Sequence, residues 1–402
     1  MEKMPLKSFL ESVEQQLLSC SIEELRAILR NMAQQAAPGE RAAFLQKLQP
    51  PVDPLAAEPG INPDELLDAI AELEDELSEA MENAEPDESD DEWYGEGSDD
   101  YEDPYEEFLE PIARLFDQAQ AAFDYGNLAL ARDAYQALFE LCNEEDDYGR
   151  GIQTQQIENL DQEESLARYV FAVYSLTPAE QRAEQLFDAL GQVREWNGKR
   201  LLFSQVIQIS LSPLPDLDTF WPEWITFLKA QDDAHASAWL REAVRVSQGT
   251  EGLAALARGE GTRHPKAYMD WLEKLAEEQR RAEVLAGAQE ALQALPKNLT
   301  IRADIADILC EMAIQLKDDG ALRTGRWEAF LADPSELRLL DVWDVTPVGE
   351  RLAQMQQAAK ALQEIHSLPR VVSYSQGNDN GLEQTGRVNQ TLLTHALLLG
   401  GN

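Results

Sequence analysis

The chain has 402 residues, with 75 Asp and Glu against 33 Lys and Arg, a formal net charge of −42. Hydrophobic residues make up 44%, enough for a sizeable core, which excludes a wholly disordered chain. Charge of this sign repels phosphate, so direct contact with nucleic acid or an anionic membrane is not expected.

The N-terminus, Met1-Glu2-Lys3-Met4-Pro5, has no apolar stretch ahead of a small-residue cleavage site, so it does not read as a signal peptide. Leu6, Phe9, Leu10, Val13 and Leu17 then recur at helical spacing. Ser21 with Glu24 is a capping box opening a second helix, whose face carries Leu25, Ile28, Leu29 and Met32. Pro38 starts a third, with Phe44, Leu45 and Leu48, and Pro50-Pro51 ends it. Asn62, Pro63 and Glu65 suit the cap, first and third positions of another helix. Its narrow stripe of Leu66, Ile70, Leu73 and Leu77 fits a docking face on neighbouring helices. Residues 1–82 are therefore read as an N-terminal helical region.

Between Leu48 and Ala113 there is no Lys or Arg, and 25 residues are acidic. Like charges at this density repel, and Pro and Gly interrupt any helix, so 83–106 is expected to be a disordered acidic linker. Trp93, Tyr94, Tyr101 and Tyr105 punctuate it. Acidic-aromatic alternation suits docking into a basic, apolar groove, which makes these four residues candidates for partner binding. No calcium-loop pattern appears in the run.

From Pro111 to Leu141 the pattern is that of a helical hairpin. Leu115, Ala119 and Ala122 share one face, Tyr125-Gly126-Asn127 makes the turn, and Leu128, Ala131, Tyr135 and Leu138 face back. Ala119 and Ala131 allow close helix approach, and Gly126 supplies a left-handed turn residue. This spacing resembles the tetratricopeptide repeat family. The resemblance implies an all-α fold, a helical-repeat solenoid of stacked hairpins over 107–365, with Ala119, Gly126, Ala131 and Tyr135 as its structural positions.

Further hairpins follow. Leu166–Leu176 reads as a helix stopped before Thr177-Pro178-Ala179-Glu180, a second cap that opens a helix through Leu186, Phe187 and Leu190. Ser204–Ile209 runs into Pro213 and Pro215. Phe220, Trp221, Trp224, Phe227 and Leu228 make an aromatic face, which packs in a core in most proteins and lines a ligand groove in the rest. On the second reading Trp221 and Trp224 join Trp271 as candidate partner-binding residues. Tyr268, Trp271, Leu272 and Leu275 with Ala288, Ala291, Leu292 and Leu295 read as another hairpin, with Gln279 near the place of its turn glycine. Trp327, Phe330 and Leu331 precede Asp333-Pro334-Ser335, where a helix with Leu337, Leu340 and Trp343 begins. Only Arg370–Tyr374 alternates like a strand, and Gly377–Gly386 reads as a loop. Leu392, Leu393, Leu397, Leu398 and Leu399 then form an apolar helix ending in Gly-Gly-Asn. It reads as the uncovered first half of a further hairpin within 366–402, as in a truncated or cleaved chain or one completed by a partner chain; the alternative is that its leucines dock on the preceding helix.

Asp147-Tyr148-Gly149-Arg150-Gly151-Ile152, the Arg263–Trp271 segment with His264-Pro265, and Gly325-Arg326-Trp327-Glu328-Ala329-Phe330-Leu331 resemble a bacterial family of long acidic helical-repeat proteins. Some members carry a SWIM-type zinc finger, whose Cys-x-Cys and Cys-x-His pairs are missing here. The resemblance implies a scaffold.

Catalytic chemistry is not expected. Gly381-Leu382-Glu383-Gln384-Thr385-Gly386-Arg387-Val388 has P-loop glycine spacing without the phosphate-binding Lys and Ser or Thr. His235, His264, His366 and His395 have no second ligand at metal spacing. Cys20, Cys142 and Cys310 form no CxxC, as for reduced thiols in cytoplasm, and the latter two sit in apolar helical surroundings. Asn298 or Thr300 reads as a helix cap rather than as part of a sequon. No catalytic residue, metal or cofactor is assigned. The reading is a non-enzymatic scaffold for a protein partner, a basic one by charge. The second reading is a regulatory protein of a bacterial system, such as a CRISPR defence system, that sequesters a basic partner or is cut by a partner protease.

Overall fold

The computed structural model describes residues 6–35, 63–84, 104–365 and 390–401. The chain is all-α: seventeen helices and no strand among the described residues, beyond an isolated antiparallel bridge between Glu145 and Gly151. Contacts divide it into residues 1–220 and 221–402.

In the first unit, α1 (Leu6–Ser19) and α2 (Ile22–Gln35) are joined by the expected capping box, in which Glu24 N–H donates to Ser21 Oγ at 3.3 Å and Ser21 N–H to Glu24 Oε2 at 2.7 Å. Helix α3 (Pro63–Glu82) buries Leu66, Ile70, Leu73, Leu77 and Met81 against α4 (Glu106–Asp124) and α5 (Leu128–Cys142). Ala119, Ala131 and Tyr135 are fully buried between α4 and α5, the close approach that small residues permit. Helices α6 (Gln162–Leu176), α7 (Arg182–Asn197) and the short α8 (Phe203–Ile207) continue the order, each packing on near neighbours in sequence.

The boundary between units falls in α9 (Leu217–Ala230). The second unit runs through α10 (Ala234–Glu260), α11 (Lys266–Glu277), α12 (Arg281–Ala294), α13 (Ile301–Leu316), α14 (Asp319–Ala332), α15 (Glu336–Val345), α16 (Arg351–Ile365) and α17 (Gln390–Leu399). Contacts again join consecutive helices. Helix α13 approaches α14 closely, where Gly325 lies so near Cys310 that an added Cβ would sit 2.6 Å from its Sγ. Helix α10 is two helices: Gly249, at φ +61° and ψ −150°, breaks it.

Three hairpin ends share one geometry. Gly126 (φ +81°), Gln279 (φ +60°) and Lys317 (φ +58°) are left-handed. The next residue in each case donates back five positions: Asn127 to Ala122, Arg280 to Leu275 and Asp318 to Ala313, each at 2.9 Å. This six-to-one bond closes the Schellman turn. Gly126 takes the expected positive φ, and Gln279 fills the place where a glycine was missed.

Other expectations divide. Ser335 caps α15, its Oγ accepting from Arg338 N–H at 3.3 Å, and Thr300 holds the cap position of α13. Thr177 does not cap a following helix. Its hydroxyl donates back to Val173 O at 2.6 Å, and a short 3-10 turn, Ala179–Gln181, precedes α7. The helix of Leu392–Leu399 is not uncovered. Leu392 and Ala396 are buried with Met355, Ala358 and Leu362 of α16, because α16 lies beside them and supplies the cover. The helix expected after Pro38, residue Asn62, most of the 83–106 linker, the strand 370–374 and the loop 377–386 lie outside the described residues.

Candidate interaction surface

Of the aromatic residues marked for partner binding, the four among the described residues are buried. Trp93, Tyr94 and Tyr101 lie outside the described residues. Tyr105 is buried at the start of α4, and its hydroxyl donates to Asp146 Oδ2 at 2.8 Å. Trp221, Trp224 and Trp271 are core residues. Burial removes most contact between large rings and water, so aromatic spacing here marks packing. Trp224 stacks on Phe227, and Trp271 receives Arg258 over its ring at 4.7 Å.

The three quoted motifs are likewise structural. Asp146 gathers Tyr148 and Arg150 N–H on Oδ1, each at 2.9 Å, and Arg150 Nε on Oδ2 at 2.8 Å. Burial alone would raise its pKa, but the bonds from Arg150, Tyr105 and Tyr148 outweigh that and hold it at about 2. Gly151 must lack a Cβ, which would sit 2.3 Å from Glu144 O. In the second motif, Arg263 Nη1 donates to Lys229 O at 2.8 Å and Nη2 to Gln231 O at 3.1 Å, closing the C-terminal end of α9. His264 is buried, its Nδ1 2.8 Å from Ser237 Oγ, while Nε2 has no hydrogen-bond partner and lies 3.8 Å from Glu260. Burial depresses the imidazole pKa, against the pull of Glu260. In the third, Gly325 admits Cys310, Arg326 pairs with Asp341 at 2.9 Å, and Trp327 packs on the terminal core.

Nucleophilic thiolate is disfavoured by the same burial. The Cys142 thiol is pushed up to about 12 and Cys310 to about 11. Among the described residues no group of three or more His, Cys, Asp or Glu could hold a metal ion. No helix among them is long and apolar enough to cross a membrane.

The surface is shaped by where the cations go. In the second unit Lys229 pairs with Glu260, Arg241 with Asp270, Arg245 with Glu277, Arg258 with Glu290 and Arg338 with Asp307. The arginine rungs join residues 29–32 positions apart, about one helical repeat. Each rung pairs one charge of each sign, so the rungs leave the excess of carboxylates unchanged.

That excess is most ordered on α3. Glu65, Asp68, Glu72, Asp75 and Glu79 recur every three or four residues, Glu76 adjoins Asp75, and all six are exposed, opposite the buried leucine stripe. The helix contains no Lys or Arg. Its inner face fixes the stripe in place, and Ser78 anchors one side through Glu144 at 3.2 Å. The 3–4 spacing of these carboxylates is present in the sequence, but the acidic run around it hides the period. No family model matches the chain, and no curated protein matches it.

Proposed function

We propose that the chain is a non-enzymatic interaction scaffold whose acidic face takes a basic protein partner. The observation that carries this reading is the α3 stripe: six carboxylates on one helix face, with no cation in the helix and an apolar face that locks its orientation. A fixed row of like charge raises the local concentration of an oppositely charged ligand and speeds its encounter. The resemblance to acidic helical-repeat proteins adds a scaffold role, and a cytoplasmic setting with reduced thiols fits it. The regulatory reading uses the same face, since a basic nucleic-acid-binding protein held there is kept from phosphate.

Titration with a fluorescent Arg-rich peptide tests the proposal. Affinity is expected to fall more than about tenfold between low and high salt. Replacing Asp68, Glu72, Asp75 and Glu79 by their amides should cost a comparable factor. Binding that ignores both salt and these substitutions refutes an acidic docking face.

A further inference from the structure

Helices α1 and α2 stand apart from the rest of the chain in two ways. Their apolar stripes are only partly covered: Leu6, Leu10 and Leu25 are half-buried, but Phe9 is 50% exposed, Leu17 52%, Ile28 48% and Met32 52%. Monomeric surfaces seldom leave apolar side chains open in such a continuous register. The pair is also nearly neutral. Its sequence holds Lys7, Arg26 and Arg30 with Glu11, Glu14, Glu23 and Glu24, a net charge of −1 within a chain of −42.

We propose that α1 and α2 are a self-association module that packs on α1 and α2 of a second copy about a two-fold axis. Phe9, Val13 and Leu17 of one copy lie against Ile28, Leu29 and Met32 of the other, and the symmetry makes each contact twice. The local charge decides the occupant. A basic partner gains nothing from a neutral apolar face when carboxylates abound elsewhere. Two copies of this polyanion repel each other over most of their surface and can meet only where the charge is close to zero.

Sedimentation equilibrium on the full chain tests this. The wild type is expected to dimerise at tens of micromolar, more strongly at 500 mM than at 50 mM NaCl, because salt screens the repulsion between copies. Salt should weaken capture of a basic peptide, so failure of one reading is distinguishable from failure of the other. Phe9→Glu with Met32→Glu should abolish the dimer without lowering the melting temperature measured well below the dimerising concentration, since both positions are exposed. A monomeric wild type, as when residues 36–62 of the same chain cover the stripes, overturns the proposal. So does a dimer that Phe9→Glu with Met32→Glu leaves intact.

Discussion

Arg182 and Arg351 make the same contacts in different units. Each donates from Nε to the carbonyl of the threonine five positions earlier, Thr177 and Thr346, at 3.1 Å. Each guanidinium lies over an aromatic ring three residues before that threonine, Tyr174 at 5.0 Å and Trp343 at 4.9 Å. Each threonine hydroxyl donates back four residues at 2.6 Å, to Val173 and Val342. The two segments read Tyr-x-x-Thr-Pro-x-x-x-Arg and Trp-x-x-Thr-Pro-x-x-x-Arg. A planar fork that reaches a helix-end carbonyl while stacking on a ring has no lysine equivalent. Arg351→Lys and Arg182→Lys are each expected to cost about 1 kcal/mol, read by urea denaturation. Unchanged midpoints for both would show the stack to be idle.

The left-handed turns predict opposite outcomes at two sites. Gly126→Val puts a β-branched residue at φ +81° and is expected to cost more than about 1 kcal/mol. Gln279→Gly relieves a strained residue at φ +60°, offset in part by the greater freedom of glycine in the unfolded chain, and should stabilise by about 0.5 kcal/mol. Thermal melts of the two variants in parallel check both signs.

The Gly325–Cys310 contact gives a paired test. Gly325→Ala sets a methyl group against Cys310 Sγ and is expected to cost about 1–3 kcal/mol. Cys310→Ala empties part of that space, so the double variant should recover much of the loss. A strictly additive cycle would place the strain instead on the Ala306 carbonyl, 3.1 Å from the same Cβ position.

Two groups link stability to pH. His264 has a lowered pKa, so below the ordinary imidazole value of about 6.5 the unfolded chain takes up the proton first. Its contribution is intact above that value and fades as pH falls. The wild type should therefore lose melting temperature from pH 7 to 5.5, and His264→Gln should lose less over the same span. Asp146 acts lower. Its carboxylate, held at about 2 against an ordinary value of about 3.9, stabilises the fold above pH 4 and is lost as pH falls toward 2. Asp146→Asn should cost about 2 kcal/mol at pH 7, with Tyr105→Phe costing less.

Helix pairing was legible wherever period, cap and breaker agreed. The hairpin around Gly126, the capping box at Ser21 and the start at Ser335 are local signals, and local bonds realise them. Gln279 was located but its conformation was not, because tertiary packing of α11 on α12 overrides the preference for glycine. The break at Gly249 was invisible, since helical pattern continues on both sides of it. Aromatic spacing located Tyr105, Trp221, Trp224 and Trp271 but could not tell an inward face from an outward one. The acidic stripe was hidden for the opposite reason. Its residues lie within a longer acidic run, and only the burial of Leu66, Ile70, Leu73 and Leu77 separates one face of α3 from the other.

The rungs that join residues about 31 positions apart also set which changes of chain length each can bear. An insertion or deletion between Arg258 and Asp270 alters the spacing of the three rungs that span it, Arg241–Asp270, Arg245–Glu277 and Arg258–Glu290, and leaves that of Arg338–Asp307 unchanged.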